Sequence, residues 1–112
     1  MLIVLSPAKT LDYESPVTAK ESSQPLFLDP AQQLVEILRH CSPADLSRLM
    51  GISDALAALN ADRYASWSRP FSRDNARQVL LAFNGDVYEG LDAPSLSSDD
   101  LDFAQAHLRI LS

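Results

Sequence analysis

The sequence predicts a mixed α/β fold, a small sheet with several helices packed on it. Three observations carry this. Two short apolar runs, Leu2-Ile3-Val4-Leu5 and Val79-Leu80-Leu81-Ala82-Phe83, each end in turn chemistry, as strands buried on both faces do. Helix start signals recur between and after them. Hydrophobic residues make up 46% and charged residues 21% of 112, an ordinary globular balance that suits one domain with one core.

The first run stops at Ser6-Pro7. Proline has no N–H to continue a ladder and biases the residue before it to an extended conformation. The chain therefore leaves the core abruptly and presents Ser6, Lys9, Thr10 and Asp12 beside the strand's carboxyl end. In open α/β sheets ligands gather at that end. Residues 12–25, with Ser15, Pro16, Thr18, Ser22, Ser23 and Pro25, form a loop, after which Phe27 and Leu28 return to the core.

Asp29-Pro30 reads as an N-cap followed by proline at the first helical position. Leu34, Val35, Leu38 and Cys41 give that helix its apolar face. Ser42-Pro43 repeats the signal. A second helix there buries Leu46, Leu49 and Met50 and stops at Gly51. Ser53 opens a third, with Leu56, Leu59, Arg63 and Tyr64 at helical spacing, broken near Pro70. Ser72 caps a short fourth helix through Arg77. The second apolar run follows as a strand, ended by Asn84-Gly85-Asp86, where glycine reaches φ > 0 without steric cost. Ser97 or Ser98 starts the last helix. Asp99, Asp100 and Asp102 lie at its positive end, and Leu101, Ala104, Leu108 and Leu111 along one face.

Several function classes are disfavoured. The net charge is −6, opposite to that of a free nucleic-acid binder, although a local basic patch remains open. Cys41 is the only cysteine, so no intramolecular disulfide forms and no cysteine-rich zinc site exists. His40 and His107 make no recognisable ligand pair, and no metal or cofactor is expected. No basic n-region with an apolar h-region opens the chain, and no apolar run approaches the ~20 residues of a membrane span. A soluble cytoplasmic protein is expected, with oligomeric state open. The chain stops without a glycine or proline signal, and two doubly buried strands need further partners. It is therefore expected to be the N-terminal part of a larger fold, or an obligate partner.

Two turns concentrate the polar chemistry. The Lys9 turn contains no glycine, so it is not a Walker A loop. Lys9 can pair with phosphate or carboxylate, act as an amine nucleophile, or simply be solvated. Asn84, Asp86, Tyr88 and Glu89 follow the second apolar run as Lys9 follows the first. If the two strands pair in parallel, lysine, carboxylate and phenol share one sheet edge, an arrangement suited to acid–base or glycosidic-bond chemistry. The alternative is an ordinary Asn-Gly-Asp turn with a half-buried tyrosine. Arg63, Arg69, Arg73 and Arg77 interleave with Tyr64, Trp67 and Phe71, either as a nucleic-acid surface or as a solvated face whose aromatics belong to the core. The carboxylates from Asp86 to Asp102 match no EF-hand spacing.

The blocks LIVLSPAKTLD, ISDALAALNADRY, NARQVLLAFNGDVYEGL and DLDFAQAHLRILS occur in this order and cover most of the chain. They resemble the YaaA family of bacterial peroxide-stress proteins. The resemblance implies that residues 1–112 are the N-terminal part of a longer YaaA-like domain, followed by a segment similar to a helix–hairpin–helix DNA-binding element. It implies a cytoplasmic protein that limits hydrogen peroxide damage to DNA and protein, is associated with lowered free iron, and binds duplex DNA. The family is also linked by fold to N-glycosidic chemistry on nucleosides or DNA. Lys9, Asp86 and Tyr88 occupy motif positions and are the candidate catalytic residues. Ser6, Thr10, Asn84 and Gly85 are the candidate substrate- or phosphate-binding residues.

Overall fold

Strand β1 (Ile3–Leu5) pairs in parallel with β4 (Leu108–Ile110), joining opposite ends of the chain, with Ile3 opposite Leu108 and Leu5 opposite Ile110. The computed structural model describes all 112 residues. It divides into two compact units, Met1–Ser22 with Ala76–Ser112, and Ser23–Asn75. The architecture is mixed α/β, with six helices and four short strands.

The first unit holds both strand pairs. In the parallel pair Ile3, Leu5, Leu108 and Ile110 are half-buried, while the intervening Val4 and Arg109 face outward, the period-2 alternation of a strand. Beyond β1 the chain turns through Ser6–Lys9 into β2 (Thr10–Leu11). This pairs antiparallel with β3 (Phe83–Asn84), with Thr10 opposite Asn84 and Leu11 opposite Phe83. Helix α4 (Val79–Ala82) leads into β3, and α5 (Asp86–Leu91) leaves it. A 3₁₀ turn over Ala93–Ser95 precedes α6 (Ser98–His107), which runs into β4. Ala82, Tyr88 and Ala93 are buried here.

The second unit is helical: α1 (Leu28–Leu38), α2 (Pro43–Met50) and α3 (Asp54–Ser66). Helix α2 packs on α3, and α1 lies against α3, around Val35, Leu46 and Ala57. Helix α2 begins in a capping box. The Ser42 hydroxyl accepts from the Asp45 N–H at 3.1 Å, and the Asp45 carboxylate accepts from the Ser42 N–H at 3.0 Å. It ends at Gly51 in the left-handed region, φ 61°, where glycine carries no Cβ penalty. Arg39 donates to the carbonyls of Tyr64, at 2.8 Å, and Trp67, satisfying groups that the end of α3 leaves open. Arg69 pairs with Asp29 at 2.8 Å, and Trp67 packs edge-on to Phe71. Of the interleaved basic and aromatic side chains, Arg69 is thus paired to the start of α1, and Trp67 and Phe71 pack on each other.

Several elements differ from the sequence reading. The strand expected over Val79–Phe83 is a single helical turn followed by a two-residue strand, because the Gln78 carbonyl accepts from the N–H groups of Leu81 and Ala82 at 3.0 and 3.1 Å. A short apolar run reads the same in either state. The parallel pairing of the two apolar runs does not occur: β1 takes β4 as its partner, and β3 runs antiparallel to β2. Leu108–Ile110, expected to extend the last helix, is that partner strand. The helix expected from Ser72 does not form, because the Asn75 side chain takes the Ser72 N–H at 2.7 Å and donates to the Pro70 carbonyl at 3.0 Å. Such side-chain bonds compete with a helical ladder. Leu49 and Met50 are 68% and 43% exposed rather than buried. Helix α1 starts two residues early, with Asp29 in its first turn rather than at the cap, and Phe27 stays exposed.

Candidate functional site

The two polar turns of the sequence meet in the first unit, by a route other than parallel strand pairing. The β2–β3 ladder sets Thr10 opposite Asn84. Gly85 sits at φ 159° and ψ 178°, a region that side chains larger than hydrogen rarely enter. A Cβ built on it would lie 3.6 Å from the Ala8 Cβ. The Tyr88 hydroxyl donates to the Ser6 carbonyl at 2.5 Å. Ser6, Ala8 and Thr10 on one side are thereby joined to Asn84, Gly85 and Tyr88 on the other.

Lys9 stands in the bend between β1 and β2, is exposed, and makes no ion pair or side-chain hydrogen bond. Thr10 and Asn84 are exposed as well. Asp86 is the first residue of α5 and is exposed. Tyr88 is buried at 7% exposure, its ring 5.4 Å from that of Phe83. Burial pushes its phenol above the ordinary value of 10. Its hydroxyl is already committed to the Ser6 carbonyl.

Asp12 ends the motif and organises the chain after it. Its carboxylate accepts from the N–H groups of Glu14 and Ser15 at 2.9 and 3.0 Å. Its backbone N–H donates to the Ala82 carbonyl at 2.7 Å, extending the contact with the β3 side. The Ser15 hydroxyl and N–H, then the Glu14 N–H, and more weakly the Arg77 guanidinium, hold the Asp12 carboxyl at about 2. Arg77 donates to the carbonyls of Asp12, at 2.9 Å, and Ser15. Sequence reasoning placed Arg77 on a solvated or nucleic-acid face. Its real partners are 62 and 65 positions away, a separation for which no local pattern gives a signal.

Beside the ladder lies a half-open cavity of about 180 Å³. Phe83, Tyr88, Leu80 and Pro94 supply apolar wall, and Asn84, Asp12, Glu89 and Asp92 supply polar groups. With three carboxylates and no cation in its lining, it disfavours phosphate and suits the electropositive edge of a small planar ring. No group of three or more His, Cys, Asp or Glu side chains is placed to hold a metal ion. No helix is long and apolar enough to cross a membrane.

Comparison with known proteins gives a consistent family. A family model described as "Peroxide stress protein YaaA" matches residues 1–112. A UPF0246 protein of Azoarcus sp. (strain BH72) is 60% identical over all 112 residues, which cover 43% of that relative. A UPF0246 protein of Hahella chejuensis is 62% identical over the same span, 44% of its length. One from Burkholderia cenocepacia is 59% identical, with 43% of its length covered. The chain thus spans less than half the length of the curated relatives it matches.

Proposed function

The chain belongs to the YaaA family of peroxide stress proteins, and from that membership we propose that the full-length protein limits hydrogen peroxide damage to DNA and protein in the cytoplasm by binding duplex DNA. In this reading residues 1–112 are the N-terminal part of one larger domain. Strands β1 and β4 form a two-stranded parallel pair, with Leu2, Val4 and Leu111 at 62%, 50% and 67% exposure around it. Parallel strands are ordinarily covered on both faces and joined by further strands. The extra length of the relatives is the natural source of that cover.

The observation that carries the reading is Lys9. It is an exposed cation without a counter-charge, on a turn fastened at Ser6 and Thr10, with the Thr10 hydroxyl and the Asn84 amide on the adjoining ladder. An ammonium carried on a backbone held in place, with neutral donors on the adjoining ladder, suits a phosphate oxygen. The net charge of −6 limits how much DNA affinity this part supplies, so most phosphate contacts fall to the rest of the protein. The test is duplex DNA binding by the full-length protein across a salt series. Affinity falls steeply with salt, and Lys9→Ala reduces the log–log slope by about 1. Binding that ignores salt, or a slope unchanged in Lys9→Ala, contradicts the reading.

The cavity favours a second reading, an enzyme acting on an N-glycosidic bond. The ring-sized space lined by Asn84 and Tyr88 would receive a base; Lys9 as nucleophile or phosphate anchor and Asp86 as acid–base would have to reach in from outside its lining, to which neither belongs. Against Lys9 as nucleophile, such lysines are activated by desolvation, and this one is exposed. Borohydride trapping of a lysine–sugar adduct that disappears in Lys9→Ala would establish this chemistry. Absence of any adduct on nucleoside and abasic DNA substrates rejects it.

A further inference from the structure

We infer that Arg77 and Tyr88 are positioning residues for Lys9, holding its turn from both ends so that the side chain leaves a set backbone position toward a phosphate group. The inference rests on the phosphate reading of Lys9 above. Tyr88 fastens the front of the turn, its buried hydroxyl donating to the Ser6 carbonyl at 2.5 Å. Arg77 fastens the back, donating to the carbonyls of Asp12, at 2.9 Å, and Ser15. Its Nη1 also lies 3.6 Å from the Asp12 carboxylate, which in turn binds the N–H groups of Glu14 and Ser15.

Two features separate this from ordinary surface bonding. First, the Arg77 side chain is only 11% exposed. Desolvating a guanidinium is costly unless its donors are matched, and here they are matched to the backbone that follows the turn. Second, the fastenings bracket the motif. Ser6 and Asp12 are fixed, the Thr10–Leu11 ladder holds the middle, and Gly85 backs Ala8. Lys9 is the charged side chain of this stretch that is left without a partner. A planar fork with several donors in fixed geometry can hold two carbonyls at once; a lysine ammonium has no such geometry.

The test uses the full-length protein, a fluorescent duplex DNA, and backbone hydrogen exchange. Lys9→Ala is expected to weaken binding about threefold to tenfold, the scale of one phosphate contact. Arg77→Ala should weaken it by a similar factor and lower the salt slope as Lys9→Ala does, although Arg77 touches no DNA. The double variant Lys9→Ala/Arg77→Ala should bind no worse than Lys9→Ala alone. Exchange at Glu14 and Ser15 should quicken in Arg77→Ala while α2 and α3 stay protected. Tyr88→Phe keeps the ring and removes only the hydroxyl, so it repeats the test if Arg77→Ala folds poorly, and Arg77→Lys should fail to rescue. Losses that multiply, or an Arg77→Ala and a Tyr88→Phe that bind normally while Lys9→Ala does not, overturn the positioning role and leave the phosphate reading standing. A Lys9→Ala that binds normally overturns both.

Discussion

Tyr88 and Ser6, 82 positions apart in the chain, are joined by a hydrogen bond from the tyrosine hydroxyl to the serine carbonyl. It ties the helix after β3 to the turn after β1. Tyr88→Phe leaves the contact with Phe83 in place and removes only this bond. The expected cost is about 1 kcal/mol. In a full-length protein of the relatives' size that is a fall in Tm of about 2–4 °C, read by calorimetry. The same substitution should delete, from an ultraviolet pH titration, a tyrosine transition lying above the ordinary value of 10. The raised phenol adds stability below its unfolded pKa, and that stability is lost as pH rises through the folded one.

Gly85 makes a second test of how the turns meet. The space beside it admits a methyl group, since a Cβ would stand 3.6 Å from Ala8, an ordinary contact. The backbone at φ 159° does not. Gly85→Ala should therefore destabilise the protein by about 1–3 kcal/mol through backbone strain, not overlap. Chemical denaturation measures it. Ala8→Gly in the same background should not restore stability; recovery by that route would mean that crowding, not φ, is the constraint.

The acid limb of stability should carry the signature of Asp12. Its carboxyl is lowered from 3.8 to about 2. A depressed carboxyl contributes stability that is present above its unfolded value and lost as pH falls through the folded one, so the loss runs from about pH 4 down to about pH 2. Asp45 and Asp100 are also lowered, mainly by the hydroxyls of Ser42 and Ser97 that they accept from in their capping boxes. Asp12→Asn should flatten the pH dependence of unfolding in that window and leave neutral-pH binding of DNA by Lys9 weakened, because Glu14 and Ser15 lose a charged acceptor. An unchanged acid profile would show that Asp12 is not held as described.

What the sequence disclosed follows the range of each interaction. The helix starts at Ser42-Pro43 and at Ser97 or Ser98, the stop at Gly51 and the start at Ser53 were legible, because a helix end is decided within four residues. The strand pairing was not. Leu108-Arg109-Ile110 is a strand because Ile3–Leu5 lies beside it, and the local pattern before it is helical. Val79–Ala82 is apolar in either state, and only the carbonyl of Gln78 decides which. Lys9 was expected to share one sheet edge with Asn84, Asp86, Tyr88 and Glu89; the two turns do meet, at Thr10–Asn84 and Ser6–Tyr88, but through an antiparallel ladder of β2 and not a parallel pair through β1, and Lys9 and Asp86 both stay exposed outside the cavity lining. Arg77 was invisible as a site residue because both carbonyls it binds are distant in the chain.

The central claim, that the joined turns around Lys9 are the working part of this region, meets its most direct test in living cells. A strain lacking the full-length gene would be complemented with wild-type or Lys9→Ala protein at equal measured levels, then challenged with hydrogen peroxide. The account predicts that Lys9→Ala accumulates normally and fails to restore survival. Full restoration of survival by Lys9→Ala would contradict it.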